Sequence, residues 1–198
     1  NLIKKKKDPR IIKEYKKLLK YKKMIKFVYQ NVPKGTGDAV LKTKRFITDK
    51  YFLMLLPDDL IIKKNCSKSM INVHQKYKSS VMASMQVNKS TVSRWGIYNL
   101  SKRLSKSDYL ISDVVEKPSI KDAPSNKAVI GRYILPKTIF KKLKNQNPGN
   151  GGEIHITDAI QSLIKDNEKF IAHNFSGKYL DCGTMNGYIN SGKKISNL

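Results

Sequence analysis

Cysteine, long apolar runs and low-complexity segments are scarce or absent in this sequence. Its 198 residues include only two cysteines, Cys66 and Cys182. Their wide separation argues against a disulfide-stabilised scaffold and favours free thiols in a reducing cytoplasm. No apolar run approaches the roughly 20 residues that a membrane span needs, and the basic first residues show no signal peptide. Because no repeat or linker marks a boundary, we expect one cytoplasmic domain over residues 1–198.

Acidic residues and arginine are also few. The chain has 15 Asp and Glu against 40 Lys and Arg, a net charge of +25, and 35 of those basic residues are lysine. Basic patches neutralise nucleic-acid phosphates, but specific nucleic-acid readers favour the bidentate fork of arginine. Apart from the run Lys4–Lys7, the lysines are spread along the whole chain. We interpret them as solvated residues that reflect AT-rich codons, with a non-enzymatic basic nucleic-acid-binding protein as the more distant alternative.

Helical and β-rich patterns alternate along the chain. The apolar run at residues 51–56 predicts a central parallel strand that is covered on both faces. Helices are predicted to begin at Asp8-Pro9 and at Thr184, and to span residues 38–44, 67–77, 136–143 and 157–164. Further strands are predicted over residues 26–30, 80–87, 96–100, 109–115, 127–135 and 170–175. This alternation predicts an α/β domain with a mostly parallel sheet, in which ligands bind beyond the carboxyl ends of the strands.

One strand end carries residues suited to a sugar phosphate. Glu116 and Lys117 follow a β-branched run and precede Pro118, which stops the strand because it has no N–H to donate. A carboxylate accepts hydrogen bonds from sugar hydroxyls, and the neighbouring ammonium can hold a phosphate. The structural alternative is a surface ion pair, which would contribute little.

Five segments in order resemble the bacterial UTP–glucose-1-phosphate uridylyltransferases (UDP-glucose pyrophosphorylases). These segments are Tyr29–Val40, Leu55–Asp59, Val114–Tyr133, Gly151–Ile160 and Tyr179–Gly183. The resemblance implies a Rossmann-like, GT-A-like nucleotidyltransferase fold of three layers. It also implies a domain incomplete at the N-terminus and short at the C-terminus, since no glycine-rich loop with the family's arginine precedes Gln30.

The resemblance assigns nucleotide and metal roles to four residues. Gln30 is implied to read the uracil edge, and the backbone of Gly35 to approach the nucleotide closely. Asp58 is implied to be a catalytic magnesium ligand, and Asp181 a second metal ligand, whereas Asp59 is the weaker candidate. Taken singly, each has a structural alternative, because Gln30 is a polar strand end and glycines and aspartates are common in turns.

The resemblance assigns the sugar end to residues in or just after the two predicted strands 96–100 and 109–115. The backbone of Gly96 is implied to contact glucose, although a β-bulge would also explain this glycine. Glu116 is implied to bind glucose hydroxyls, and Lys117 to hold the sugar phosphate as a catalytic residue.

The implied reaction is the formation of UDP-glucose and pyrophosphate from UTP and glucose 1-phosphate, with Mg²⁺ as cofactor, for surface polysaccharides. Since the family's glycine-rich loop holds the triphosphate, we expect this chain to be a truncated form with weak or no activity. The nearer alternative is a nucleotidyltransferase for another nucleotide or sugar phosphate. A homo-oligomer is left open, and neither a membrane nor a nucleic-acid partner is expected.

The remaining titratable residues do not predict a second kind of chemistry. His74, His155 and His173 show no metal-ligand spacing with one another or with the cysteines. We therefore expect them to be structural or surface residues, with no Ser–His–Asp or Cys–His pairing. Cys182 is expected to be a small buried residue rather than a nucleophile.

Overall fold

The computed structural model describes residues 8–197, with residue 150 described by its backbone alone. The chain falls into two compact units, residues 1–31 and 32–198, whereas the expectation of one domain over residues 1–198 stays a prediction. The run Lys4–Lys7 lies outside the described residues.

The first unit contains one helix, α1 (Pro9–Met24), among its described residues. Its start follows the predicted signal, since the Asp8 carboxylate accepts a hydrogen bond from the Arg10 N–H at 2.8 Å and Pro9 occupies the first turn. The strand predicted at residues 26–30 is wrong, because these residues form no ladder. A β-rich run is stabilised by cross-strand neighbours, and the described part of this unit offers none.

The second unit alternates helices and strands, as the sequence predicts. Its helices are α2 (Thr36–Lys42), α3 (Cys66–Tyr77), α4 (Ile139–Lys144), α5 (Ile156–Lys165) and α6 (Met185–Ser196). Its strands are β1 (Tyr51–Leu55), β2 (Asp59–Ile62), β3 (Ser80–Gln86), β4 (Gly96–Arg103), β5 (Asp108–Glu116), β6 (Lys127–Pro136), β7 (Phe170–Asn174) and β8 (Lys178–Asp181). Short 3₁₀ turns lie at Lys44–Phe46, Lys89–Arg94 and Asn150–Gly152.

Six strands form the main sheet, in the order β1-β6-β3-β7-β5-β4, while β2 and β8 form a separate two-stranded sheet. The α/β class is confirmed, but the sheet is mixed rather than mostly parallel. Among the described strands only β3 and β7 run parallel, and the other ladders are antiparallel. The physical reason is local for β4 and β5, because the four residues between them are too few for a parallel crossover.

The strand at residues 51–56 is the clearest error in the predicted topology. It was expected to be central, parallel and covered on both faces, yet β1 lies at the sheet edge and pairs antiparallel with β6. Leu53 and Leu55 are 38% and 50% exposed. Within residues 8–197 the other edge of β1 has no strand partner. A short apolar run predicts burial but does not say where in a sheet a strand lies.

Helices cover both faces of the main sheet, which gives the three layers. Successive residues of β7 alternate between the faces: Phe170 and Ala172 pack in the cluster that includes α4 and α5, whereas Ile171 packs in the cluster that includes α3. This alternation is the period-2 pattern of a strand buried on both sides. None of the described helices combines the length and the apolar character that crossing a membrane requires.

A buried network joins α3, β5 and β7. Nε2 of His173 lies 2.6 Å from Ser69 Oγ, and Nδ1 of His173 lies 2.7 Å from Asp108 Oδ1. The expectation of no Ser–His–Asp pairing is therefore wrong as geometry, because residues far apart in sequence meet through the sheet. The Ser69 N–H already donates to the carbonyl oxygen of Asn65, the residue that caps α3, so it cannot stabilise an oxyanion beside the hydroxyl. We interpret the network as a structural tie between three elements.

Candidate active site

A crevice of about 460 Å³ opens in the second unit, where the end of β5, the start of β4, the residues after β1 and the small β2–β8 sheet meet. Charged side chains of both signs line it. Acidic side chains are supplied by Asp58, Asp59, Glu116 and Asp181, and basic ones by Arg94 and Lys117. The start of β4 and the end of β5 lie together because the two strands run antiparallel.

Most of the residues predicted from the sequence line this crevice, namely Asp58, Gly96, Glu116, Lys117 and Asp181. Gln30 belongs to the first unit, and Gly35 belongs to the second unit but does not line the crevice. The nucleotide roles of Gln30 and Gly35 therefore stay predictions.

Gly35 has a structural requirement of its own. Its φ is +99°, and a Cβ added there would lie 2.7 Å from Ile154 O. The neighbouring segments are joined by two backbone hydrogen bonds, from the Gly37 N–H to Ile154 O at 2.7 Å and from the Ile154 N–H to Lys34 O at 2.8 Å. Only glycine adopts this backbone conformation at such a close approach without strain. The protein's own backbone is thus sufficient to explain the glycine.

Asp58 and Asp181 face the same point above the loop at Gly183. A Cβ at Gly183 would lie 2.8 Å from Asp58 Oδ2 and 3.4 Å from Asp181 Oδ1. The β2–β8 ladder and a hydrogen bond from the Cys182 N–H to Asp58 O, at 2.8 Å, bring the two residues together. Two carboxylates fit Mg²⁺, which takes its remaining oxygen ligands from water and substrate phosphates. No group of three or more protein metal ligands occurs in the part of the chain that the structure describes.

Asp59 has a different environment from its neighbour Asp58. Its carboxylate accepts hydrogen bonds from the Gly131 N–H at 2.6 Å and from the Tyr179 hydroxyl. Burial raises the pKa of Asp59 above its ordinary value, and burial together with the bond to Asp59 raises the pKa of Tyr179. Because the protein engages both carboxylate oxygens of Asp59, this residue joins the two-stranded β2–β8 sheet to β6.

Gly96 and Glu116 are opposite one another in the β4–β5 ladder. Glu116 Oε2 accepts a hydrogen bond from Thr157 Oγ1 at 2.9 Å, which fixes the carboxylate at the crevice wall. The helix predicted over residues 157–164 begins one residue earlier, since α5 starts at Ile156 with His155 in the cap position. The hydroxyl of Thr157 is therefore free to hold Glu116, a contact that local sequence does not reveal.

Lys117 directly follows β5 and has a left-handed conformation, with φ at +45°. For a residue with a side chain this conformation costs roughly 1–2 kcal/mol. A hydrogen bond from the Lys117 N–H to Trp95 O, at 3.0 Å, holds it. Residues in such conformations cluster at functional sites, and here the turn leaves the Lys117 side chain exposed at the crevice.

Arg94 is a crevice residue that sequence reasoning missed. Its Nη2 lies 3.3 Å from Asp181 Oδ2, and its guanidinium carbon lies 5.8 Å from the centre of the Trp95 ring. Five arginines in a chain with 40 basic residues are themselves a signal, because arginine is the residue that carries a bidentate fork.

Comparison with known proteins assigns the chain to a family. A family model described as nucleotidyl transferase matches residues 2–197. The chain belongs to the nucleotidyl transferase family. The resemblance to uridylyltransferases is also confirmed. This nucleotidyl transferase is 39% identical over 166 residues to the UTP–glucose-1-phosphate uridylyltransferase of Pseudomonas aeruginosa, which covers 82% of the chain and 59% of that protein.

A second curated relative and a solved structure agree. UTP–glucose-1-phosphate uridylyltransferase 2 of Streptococcus pyogenes serotype M3 is 38% identical over 168 residues, covering 82% of this nucleotidyl transferase and 56% of the relative. A crystal structure of UDP-glucose pyrophosphorylase complexed with UDP-glucose superposes with a TM-score of 0.82 and 39% identity, over 87% of this chain and 66% of that one. The Rossmann-like nucleotidyltransferase fold is thus confirmed. The chain spans less than two thirds of the length of these curated relatives.

Proposed function

We propose that this nucleotidyl transferase forms UDP-glucose and pyrophosphate from UTP and glucose 1-phosphate. The observation that carries the proposal is the convergence of Asp58, Asp181, Glu116 and Lys117 on one crevice. Such a crevice contains a carboxylate pair for a metal, a carboxylate for hydroxyls and a cation for phosphate. The names of the relatives, at 38–39% identity, supply the reaction class and the two substrates.

The sugar end of the reaction is assigned to β4 and β5. Glu116 is oriented by Thr157, so one of its oxygens is fixed while the carboxylate still accepts bonds from glucose hydroxyls. Gly96 leaves space beside it and offers its backbone to the sugar. Lys117, the next residue along, neutralises the phosphate of glucose 1-phosphate. Adjacent positions for hydroxyl and phosphate recognition match a substrate whose phosphate is attached to the sugar ring.

The transfer itself is a direct displacement. An oxygen of the glucose 1-phosphate phosphate forms a bond to the α-phosphorus of UTP, and the bond from that phosphorus to the bridging oxygen of pyrophosphate breaks. No side chain forms a covalent intermediate, so the protein contributes alignment and charge neutralisation. Asp58 and Asp181 are proposed to hold a Mg²⁺ ion, which supplies charge neutralisation on the phosphates when bound.

The uracil end is proposed from resemblance. Gln30 reads the base because an amide offers both a donor and an acceptor to the edge of uracil. The backbone of Gly35 is proposed to approach the base and ribose.

We expect turnover by the 198-residue chain to be weak. Among the described residues that line the crevice, the cations are Arg94 and Lys117, which is few for a triphosphate and a sugar phosphate together. Within residues 8–197, β6 is the one strand that pairs with β1, which leads into Asp58, so the metal side of the crevice has support from a single neighbouring strand in the main sheet. A small displacement of Asp58 from the geometry that the reaction needs would lower the rate of transfer strongly.

We also propose that the protein is cytoplasmic and supplies UDP-glucose for surface polysaccharides. Both cysteines are free thiols, as expected in a reducing compartment, and the proposed nucleotide substrate is a cytoplasmic metabolite.

The test measures UDP-glucose formation from UTP and glucose 1-phosphate with Mg²⁺, for the wild type, Asp58→Asn and Asp49→Asn. Asp49 is an exposed aspartate before β1 and serves as the matched control. We expect turnover that Asp58→Asn abolishes and Asp49→Asn keeps. Turnover that survives Asp58→Asn, or folded wild-type protein that neither turns over nor binds UDP-glucose, would contradict the proposal. Product formation from dTTP in preference to UTP would assign another base.

A further inference from the structure

Arg94 and Asp181 form an ion pair at the mouth of the crevice. The Arg94 Nη2 lies 3.3 Å from Asp181 Oδ2, with side chains 57% and 30% exposed. The other oxygen of Asp181 accepts a hydrogen bond from the Gly183 N–H at 2.9 Å. The exposed Arg94 guanidinium therefore lies at Oδ2 of Asp181, the oxygen that the Gly183 N–H does not engage.

The position of this guanidinium conflicts with a divalent cation between the two carboxylates. A cation bound by Asp58 and Asp181 would bring two positive charges close to the charge already on Arg94. Like charges at such short range repel, even when solvent screens them. Either the arginine leaves Asp181 when the cation binds, or the cation binds weakly.

Arg94 has the freedom and the chemistry to move. It is the last residue of the 3₁₀ turn Lys89–Arg94, and more than half of its side chain is exposed. On the same wall, the Lys117 N–H donates a hydrogen bond to the carbonyl oxygen of Trp95. The side chain of Arg94, the residue before Trp95, therefore begins beside the proposed sugar-phosphate position. A guanidinium matches two phosphate oxygens with parallel hydrogen bonds.

We propose that Arg94 is an exchangeable counter-cation of Asp181. It neutralises the carboxylate while no divalent cation is bound, and it turns to the substrate phosphates when the cation takes its place. The phosphate half of this inference rests on the proposed function, whereas the exchange at Asp181 does not need a nucleotide. The consequence is that Arg94 opposes metal binding in the free protein and strengthens binding of the phosphorylated ligand in the metal-loaded protein.

The first experiment titrates Mn²⁺ alone, with free Mn²⁺ followed by electron paramagnetic resonance. We expect Arg94→Ala to bind Mn²⁺ about five-fold more tightly than the wild type, because one repelling charge is removed. Arg94→Lys keeps the charge and should bind Mn²⁺ within about two-fold of the wild type. Equal or weaker Mn²⁺ binding by Arg94→Ala, or no binding by either protein, would overturn the exchange.

The second experiment measures UDP-glucose binding in saturating Mg²⁺ by calorimetry. Arg94→Ala should lose about ten-fold in affinity and Arg94→Lys about three-fold, since lysine keeps a point charge without the fork. The opposite signs of the metal and ligand effects distinguish an exchanging residue from one that only supports the fold. Unchanged UDP-glucose affinity in Arg94→Ala would overturn the phosphate role.

The matched control is Arg103→Ala. Arg103 lies at the other end of β4, donates from Nε to Ser105 O at 2.9 Å, and has its guanidinium carbon 5.9 Å from the Tyr109 ring. It carries the same charge and a similar aromatic contact away from the crevice, so neither affinity should change. An equal effect of Arg103→Ala would reduce the result to net charge and overturn the proposal.

Trp95 supplies an optical readout because it is the one tryptophan in the chain. Mg²⁺ should change Trp95 emission in the wild type, as the guanidinium leaves the ring, and should change it much less in Arg94→Ala. Equal changes in both proteins would count against the movement. If the wild type binds Mn²⁺ but not UDP-glucose, the proposed function fails while the Mn²⁺ titration still decides the exchange at Asp181.

Discussion

Gly96 faces Glu116 across the β4–β5 ladder so closely that a Cβ at Gly96 would lie 3.2 Å from Glu116 Oε2. The same Cβ would lie 3.1 Å from Val129 Cγ2. Both distances are tighter than ordinary van der Waals contact, so a side chain here would displace the carboxylate. The absence of a side chain at Gly96 is therefore part of the geometry of the candidate sugar site.

Gly96→Ala should weaken binding of glucose 1-phosphate about ten-fold or more while the fold is kept, because the methyl group enters the space beside Glu116. Calorimetric titration with glucose 1-phosphate and the urea midpoint are the measurements. Gly192→Ala is the control, since a Cβ there meets no atom within 4 Å and alanine within α6 should stabilise the helix by about 0.5–1 kcal/mol. Equal affinities for both variants would contradict the assignment of this wall to the sugar.

Thr157→Val should raise the KM for glucose 1-phosphate more than it lowers kcat. The change keeps the shape of the side chain and removes the hydrogen bond to Glu116, which costs roughly 1 kcal/mol of stability. Thr157→Ser retains a hydroxyl and should recover most of the affinity. If serine and valine behave alike, the hydroxyl does not orient Glu116.

The network of Ser69, His173 and Asp108 should affect stability and not activity. Both histidine nitrogens are engaged and the ring is buried, so Asp108→Asn is expected to lower the free energy of unfolding by about 1–3 kcal/mol. Urea unfolding of Ser69→Ala, Asp108→Asn and the double variant gives their coupling, and we expect it to be non-additive because they share His173. A fluorophosphonate probe should leave Ser69 unlabelled, and labelling that depends on His173 would reveal a nucleophile.

The wild-type protein should lose stability relative to the Asp59→Asn variant as the pH rises. Burial raises the pKa of this carboxyl in the folded state above its ordinary value of 3.8. A raised acid pKa stabilises the fold below the unfolded-state pKa, and that contribution is lost as the pH rises through the folded-state value. Urea unfolding of both proteins between pH 4 and pH 7 measures the difference. A difference that grows in favour of the wild type with rising pH would contradict the stated direction.

The sequence predicted the features of the fold that depend on nearby residues, but not those that depend on residues far apart in the chain. Asp8-Pro9 predicted the start of α1, and the helix predicted over residues 67–77 matches α3, because caps and helical periodicity act over a few residues. The edge position of β1 and the β2–β8 sheet escaped prediction. Tyr179 and Asp59 are 120 positions apart, and nothing in either neighbourhood encodes that pairing.

The candidate site likewise has features that the sequence predicted and features that only the tertiary structure revealed. Residue chemistry at one strand end was sufficient to nominate Glu116 and Lys117, whereas Asp58, Gly96 and Asp181 were nominated by the resemblance to the uridylyltransferases. Their meeting in one crevice depends on the antiparallel β4–β5 pair and the small sheet. The roles of Thr157 and Arg94 depend on it too, because a hydrogen bond or an ion pair exists only once packing has brought its two partners within about 3 Å.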